Sequence, residues 1–577
     1  MISILKNLNV IFTIREKLRV FYLSSISIIV SILDVISIGL VVPILGMLLK
    51  KIDFNTNKYL NLINQLFNYT LTEYLVFFIF IFFIFLVIFK NLFQIFFSYI
   101  LTKFLIRLHE SIQKKIYFNY INKEFKYLIN THTSEIFKDI DYETSIFTNG
   151  LLSPLIIFLS NVFLLICFSF FLFYYNFEAT LIISFLIFIT FFFFKIFIFK
   201  KVKQWGYLRQ ALQKNYTKIL KETFDVIKEI KLLKIDQYFI RIFSQTLRSQ
   251  RSVNTKQSFT ASLMRPITEI VFIIFLVVII LLGWREPEKI IIDISVYIAV
   301  AFRLVPSINI ILVSYQRINS SVSCLSRIKD IILTYRNLNA LKEENNYQVY
   351  FNKNIKLQNI NIKHPGIDKL ILDDISFIIP ARKKIGLMGA SGSGKTTFLN
   401  TIIGFVKPIS GKILVDDFIL DDDLLISSWQ KMISYVPQNI ILFDKSLIEN
   451  ITLSFDKKLN SSENIRYQNA IIFAQLNDLE EKLRVSGETV GEMGSKVSRG
   501  EAQRIGIARA LYMDCKILIL DESTNFLDKQ TENAFLAIIK NYMKNFTILF
   551  VSHKQSSLEL ICDEIYKIEN KKFIKIK

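Results

Sequence analysis

Residues 385–403 read IGLMGASGSGKTTFLNTII, and the fold of the C-terminal part of the chain turns on them. The run from Ile385 to Met388 is apolar and strand-like, and Thr397 to Ile403 continues with helical character. Between them, Gly389-Ala390-Ser391-Gly392-Ser393-Gly394-Lys395-Thr396-Thr397 fits the phosphate-binding pattern G-x-x-x-x-G-K-[ST]. Glycines let backbone N–H groups curl round a phosphate at a helix N-terminus, where the helix dipole favours anions. Lys395 brings a positive charge to the β- and γ-phosphates, and Thr396 a hydroxyl to Mg²⁺. A strand, a glycine loop and a helix in that order predict an α/β nucleotide-binding domain.

Further along, Lys516-Ile-Leu-Ile-Leu-Asp521-Glu522 is an apolar strand ending in two carboxylates. Such a strand is usually only structural. Following a phosphate loop, it predicts Asp521 on Mg²⁺ and Glu522 polarising an attacking water. His553 closes the next apolar strand, 548–552; alone it would read as an ordinary strand-end histidine. Short strand-like runs alternate with helices from residue 350 to the C-terminus, and the polar stretch 340–349 reads as a linker.

Upstream of the linker the composition changes. The 577 residues carry 70 basic and 49 acidic side chains, a net +21, with 52% hydrophobic residues and 54 phenylalanines. Most of the positive excess lies before residue 337, between long apolar runs, which points to a membrane rather than to nucleic acid. Four widely spaced cysteines exclude a disulfide scaffold or a cysteine-based zinc module. Six stretches are long enough to span a bilayer, at about 20 residues each: 20–49, 74–102, 150–175, 178–200, 264–284 and 290–315. The first reads as a retained helix, and residues 1–19, with Lys6, Arg15, Lys17 and Arg19, as an amphipathic helix on the membrane surface. The basic segments 103–149 and 201–263 place both termini and both segments in the cytoplasm. Their helical periodicity favours helices running past the membrane over two separate small domains. In the outer loop 51–73, Tyr59, Leu60, Leu62, Ile63, Leu66 and Phe67 share a face and suggest a short surface helix.

Taken with the intervening residues, this pattern resembles the ABC transporter family, exporter type. The resemblance covers nearly the whole chain: a six-helix membrane domain over 1–339 with long cytoplasmic extensions, then an ATP-binding cassette domain over 350–577. Val436-Pro437-Gln438 resembles the Q-loop, whose Gln438 would sense Mg²⁺. Thr489 to Gly494 resembles the loop before the signature. Ser498, Gly500, Gln503 and Arg504 match the signature region, Leu527-Asp528 the D-loop, and His553 the switch histidine. His364 falls where the adenine-stacking aromatic is expected. The resemblance implies ATP and Mg²⁺ as cofactors, with Ser498, Arg499, Gly500, Glu501 and Asp528 joining the phosphate loop in nucleotide binding. Glu522, His553 and Gln438 would be catalytic, and Thr396, Gln438 and Asp521 would be the metal set. It also implies a homodimer in which each ATP lies between one subunit's phosphate loop and the other's signature. One departure stands out: Val497-Ser498-Arg499-Gly500-Glu501 replaces Leu-Ser-Gly-Gly-Gln. Arg499 beside a crowded phosphate can clash or add attraction, and a different partner subunit is the other resolution.

Residues 293–325 and Asn57-Lys58-Tyr59-Leu60 resemble the bacterial flippases of lipid-linked oligosaccharides. That implies a polyprenyl-diphosphate glycan as cargo in the bacterial inner membrane, with another lipid, a peptide or a drug as alternatives. A nucleotide-gated channel or a non-transporting regulator is the alternative from another class. Asp34, Lys90, Lys195, Glu269, Asp293 and Arg303 are charges within or at the ends of spans, costly unless paired or facing a wet cavity. Lys90 and Arg303 are candidates for a cavity that takes an anionic substrate; an ion pair, for example with Asp34, is the competing account. Sharp turns near Ser134–Lys138 and Asp225–Ile235 are the expected contacts that transmit ATPase movement.

Overall fold

The computed structural model describes residues 2–39, 72–283, 287–342, 349–363, 370–455, 458–513, 515–543 and 545–577. The chain divides into two units, 1–123 with 131–341, and 342–577 together with 124–130.

Among the described residues, the first unit holds six helices long and apolar enough to cross a membrane. Four of them, of 42 to 49 residues, run far beyond bilayer thickness. The helix Thr72–Ile121 has 50 residues, about 75 Å at 1.5 Å per residue. The basic segments 103–149 and 201–263 are largely helical and continue the spans, so they need no cores of their own. Large apolar side chains such as Phe82, Phe85 and Phe170 stand exposed along these helices, as expected where lipid replaces water. The expected outer-loop helix lies outside the described residues.

The amphipathic N-terminal helix, Ile2–Ile11, differs from expectation. Its apolar face, Ile4, Leu8 and Ile11, is buried on protein. The helix Ser323–Lys342 ties it down, with Lys329 Nζ 3.2 Å from Asn7 Oδ1 and Arg336 Nη2 donating to the Ile11 carbonyl at 3.3 Å. An amphipathic stripe has no preference between lipid and a protein groove, and here the groove wins.

The helical extensions beyond the apolar spans are held by buried ion pairs. Asp139 receives the Tyr120 hydroxyl at 2.6 Å and Arg327 Nε at 2.7 Å, while Lys138 lies 3.2 Å from Glu143. Ser134 and Lys138 are therefore buried inside the first unit. It is the short helix Phe125–Asn130 that groups with the second unit, where Phe125 lies 4.5 Å from Phe405, ring to ring.

Gly206, on the helix Lys200–Asp225, faces the helix Pro287–Ser321 so closely that a Cβ would meet the Ser320 carbonyl oxygen at 2.2 Å. Backbone cannot yield as a side chain can. Gly206→Ala should destabilise the first unit by about 1–3 kcal/mol, read as a lower thermal midpoint; an unchanged midpoint would mean the two helices can separate freely.

In the second unit the strands are β1 (Asn354–Lys363), β2 (Leu370–Pro380), β3 (Lys384–Gly389), β4 (Ser410–Val415), β5 (Phe418–Ile419), β6 (Ile433–Val436), β7 (Ile517–Asp521), β8 (Thr547–Val551), β9 (Glu564–Glu569) and β10 (Lys572–Lys575). One antiparallel sheet has the order β2-β1-β4-β5; the other has the order β10-β9-β3-β8-β7-β6. In the latter, β9, β3, β8, β7 and β6 run parallel. Every residue of β7 and β8 is buried, the unbroken apolar run that a parallel sheet covered on both faces demands. Alternate side chains feed two cores. Leu518 and Leu520 join Ile505 and Phe535 on one face; Ile517 and Ile519 join Phe398 and Trp429 on the other. The C-terminal ends of β3, β7 and β8 thereby deliver Gly389, Asp521 and Ser552 to one edge.

Candidate functional site

The phosphate loop begins where β3 ends and closes at the helix Lys395–Ile403. Gly394, at φ +97°, caps that helix, and a Cβ there would meet Ile371 at 2.5 Å, so only glycine fits. Lys395 is buried, and its ammonium donates to the carbonyls of Gly389 (2.8 Å) and Ala390 (3.1 Å). The lysine thus folds back across the loop, its charge held on the loop's own carbonyls. Ser393 Oγ is buried and has no hydrogen-bond partner among the described residues.

Asp521, the last residue of β7, faces the loop. Its Oδ2 lies 3.4 Å from Thr396 Oγ1 and accepts from the Tyr435 hydroxyl at 3.1 Å. Burial pushes the Asp521 carboxyl above the usual carboxylate range and the charge of Glu522 adds to this, against the hydrogen bond from Tyr435. Burial, with the neighbouring Asp521 charge, likewise raises the Tyr435 phenol, which stays a donor. A buried carboxylate beside a threonine hydroxyl is a hard oxygen set suited to Mg²⁺ once phosphate oxygens complete it. Among the described residues no three His, Cys, Asp or Glu form a metal cluster of their own.

Glu522 adopts φ +51°, an unusual backbone for a residue with a Cβ, of the kind that collects at functional sites. Its N–H donates to the Val551 carbonyl at 3.0 Å. Three side chains engage its carboxylate. His553 Nε2 lies 2.8 Å from Oε1; Gln438 Nε2 donates to Oε2 at 2.7 Å and Asn525 Nδ2 to the same oxygen at 3.0 Å. Gln438 follows β6 and His553 follows β8, the strands on either side of β7. Three candidates scattered over more than a hundred residues of sequence thus meet on one carboxylate.

The signature residues stand apart. No hydrogen bond or ion pair joins Ser498, Arg499 or Gly500 to the phosphate loop within this chain, among the described residues. Ser498 caps the helix Arg499–Tyr512 through a capping box: its N–H donates to Glu501 Oε2 at 2.7 Å, and the Glu501 N–H to Ser498 Oγ at 3.2 Å. Against the penalty of burial, those Ser498 hydrogen bonds hold the Glu501 carboxyl below its ordinary range. Arg499 lies over the Phe526 ring, 5.7 Å from its centroid. Asp528 caps the helix Lys529–Tyr542, and hydrogen bonds from Thr531 hold its carboxyl low. Glu501 and Asp528 are therefore engaged in helix caps. His364 lies outside the described residues.

In the first unit, Lys90 and Arg303 both turn to Asp34, which is 1% exposed. Lys90 Nζ is 2.8 Å from Asp34 Oδ1, and Arg303 Nη2 pairs with Oδ2. Glu269 pairs with Arg265 at 2.8 Å, Lys195 is exposed, and the Asp293 side chain lies outside what is described. Pro306 does not break its helix, and Ser307 Oγ donates to the Arg303 carbonyl at 2.8 Å.

Two contacts had not been anticipated from sequence, Asn525 on Glu522 and Tyr435 on Asp521. Tyr435 stands two residues before Pro437 at the end of an apolar strand, and Asn525 three residues after Glu522; position was the only available signal.

Family models for the ABC transporter match residues 372–525, and for the ABC transporter transmembrane region residues 22–300. The chain is similar to an ATP-dependent lipid A-core flippase of Albidiferax ferrireducens, 37% identical over 206 residues, which is 36% of this chain and 35% of that protein. It is also similar to one of Yersinia pestis, 35% identical over 221 residues, 38% of this chain and 37% of that protein. The matches span about a third of these relatives' length. A bacterial Atm1-family ABC exporter solved with ATP bound superimposes with a TM-score of 0.75 at 18% identity, over 97% of this chain and 94% of that one; at that identity it speaks for the fold.

Proposed function

The chain belongs to the ABC transporter family, with membrane and ATPase domains in one polypeptide, and from this we propose that it is an ATP-driven exporter moving a lipid across the bacterial inner membrane. The observation that carries the reading is the meeting of Gln438, Glu522 and His553 on one carboxylate, beside Lys395, Thr396 and Asp521. In this reading residues 389–397 hold the phosphates of ATP, and bound Mg²⁺ supplies charge neutralisation between Thr396 and Asp521. Glu522 takes the proton of the attacking water, and His553 and Gln438 hold its carboxylate in place. Two copies pair so that each ATP also meets the Ser498–Gly500 segment of the other, and both termini lie in the cytoplasm. That geometry of donors on an intact carboxylate favours hydrolysis over a nucleotide-gated channel or a silent regulator.

For the cargo, the relatives named lipid A-core flippases support a lipid in general. We assign a polyprenyl-diphosphate-linked glycan, because Asp34 balances only one of the two cations Lys90 and Arg303. The remaining positive charge suits a diphosphate in a site of reduced dielectric. The test is ATPase activity of the purified protein in vesicles. A polyprenyl-diphosphate glycan should stimulate it several-fold, and a neutral glycolipid should not. Equal response to both overturns the diphosphate assignment; absence of any hydrolysis by the protein alone overturns the homodimeric ATPase.

A further inference from the structure

The turn that follows Glu522 joins it to the start of the signature helix. Ser523 and Thr524 are fully buried, which fixes the two residues between Glu522 and Asn525. Asn525 Nδ2 then donates to Glu522 Oε2 at 3.0 Å. Beyond it, the Phe526 N–H donates to Gln503 Oε1 at 3.1 Å, while Gln503 Nε2 approaches the Glu522 carbonyl at 3.4 Å. One glutamine of the signature helix therefore grips the turn at both ends. Arg499, the first residue of that helix, lays its guanidinium over the Phe526 ring, within the reach of a cation–π contact. The Phe526 carbonyl comes to 3.3 Å from where a Cβ on Gly500 would stand, so the approach is close.

We propose that Asn525 is a positioning residue for Glu522, and that Arg499, seated on Phe526, keeps Asn525 in register from the first turn of the signature helix. The inference rests on the reading of Glu522 as the catalytic carboxylate. A glutamate side chain has three rotatable bonds, and its carboxylate points usefully only when donors bracket it. Gln438 comes from another strand; Asn525 is the donor to Oε2 that belongs to Glu522's own turn. Arg499 then serves its own subunit's active-site turn, which accounts for a bulky cation at a position where the family has glycine.

The test uses the full-length protein in lipid nanodiscs, with kcat and KM for ATP measured for each variant and thermal midpoints as the folding control. Asn525→Asp keeps the shape but sets an acceptor against the Glu522 carboxylate. It should lower kcat about 10- to 100-fold, the worth of a hydrogen bond to a charged group, with KM for ATP nearly unchanged. Asn525→Ser, shorter but still a donor, should recover part of the rate; it is also the variant to read if the aspartate does not fold. Arg499→Gly and Phe526→Ala should each lower kcat, and the double variant should be no slower than the slower single one. Wild-type kcat in Asn525→Asp, with Glu522→Gln inactive, overturns the positioning role alone. Additive losses from Arg499→Gly and Phe526→Ala overturn the link to Arg499. Full activity in Glu522→Gln overturns the underlying assignment instead.

Discussion

Glu522→Gln should bind ATP as the wild type does while turning it over roughly 10²–10⁴-fold more slowly, the usual loss when a general base is removed. The geometry explains why binding should survive. Two donors, Gln438 and Asn525, converge on Oε2, and His553 meets Oε1. A glutamine amide can keep its carbonyl oxygen towards the two amides and turn its NH₂ towards the histidine, whose neutral ring has an acceptor nitrogen. Shape and hydrogen bonds are retained, and only the negative charge that draws a proton from water is gone. The substituted protein should therefore accumulate in its ATP-bound, closed form. Single-turnover hydrolysis and retention of labelled ATP are the measurements, with the thermal midpoint as a control on folding. Hydrolysis within a few-fold of the wild type would rule Glu522 out as the base and leave His553 to be tested in its place.

The parts legible in sequence were those governed by short-range rules. A strand–glycine loop–helix cannot easily arise for another reason, and the apolar runs of β7 and β8 were legible as strands of an α/β nucleotide-binding domain. The six spans were legible because bilayer thickness fixes a helix length. What stayed hidden depends on which surfaces meet. The stripe of Ile2–Ile11 was correctly amphipathic, yet sequence cannot say whether lipid or the helix Ser323–Lys342 receives it. The Ser498-Arg-Gly-Glu501 spacing is a capping-box pattern, and the structure uses it as one. That local signal was available, since the capping box needs only residues three apart in sequence. Nothing in sequence brings Arg499 to Phe526, since the helix and the turn, more than twenty residues apart, meet only in the folded domain, where Gln503 also bonds the turn.

An ion pair with Asp34 was one of the two accounts that the sequence left open for Lys90 and Arg303, and the structure joins all three charges from three different helices, with a large consequence. Asp34 is 1% exposed and faces both Lys90 and Arg303, which are 13% and 31% exposed. Removing the shared carboxylate leaves two cations facing each other in an apolar span with no counter-charge. Asp34→Ala should therefore cost about 3–5 kcal/mol, the range for breaking a buried pair from one side, and should sharply lower the thermal midpoint of the purified protein. Removing either cation is a different perturbation. Arg303→Ala leaves Lys90 and Asp34 as a balanced pair, and Lys90→Ala leaves Arg303 and Asp34, so each should be the milder change. Replacing all three by apolar residues should recover much of the stability lost in Asp34→Ala, because no orphaned charge remains. If Arg303→Ala proves as damaging as Asp34→Ala, the cluster is not organised around the carboxylate. The single cation variants also bear on cargo. With Asp34 able to balance only one positive charge, Arg303→Ala should keep a near-native midpoint and basal ATPase activity while losing stimulation by a lipid diphosphate. Stimulation that persists in both Arg303→Ala and Lys90→Ala would reduce the cluster to an ion pair that merely holds three helices together.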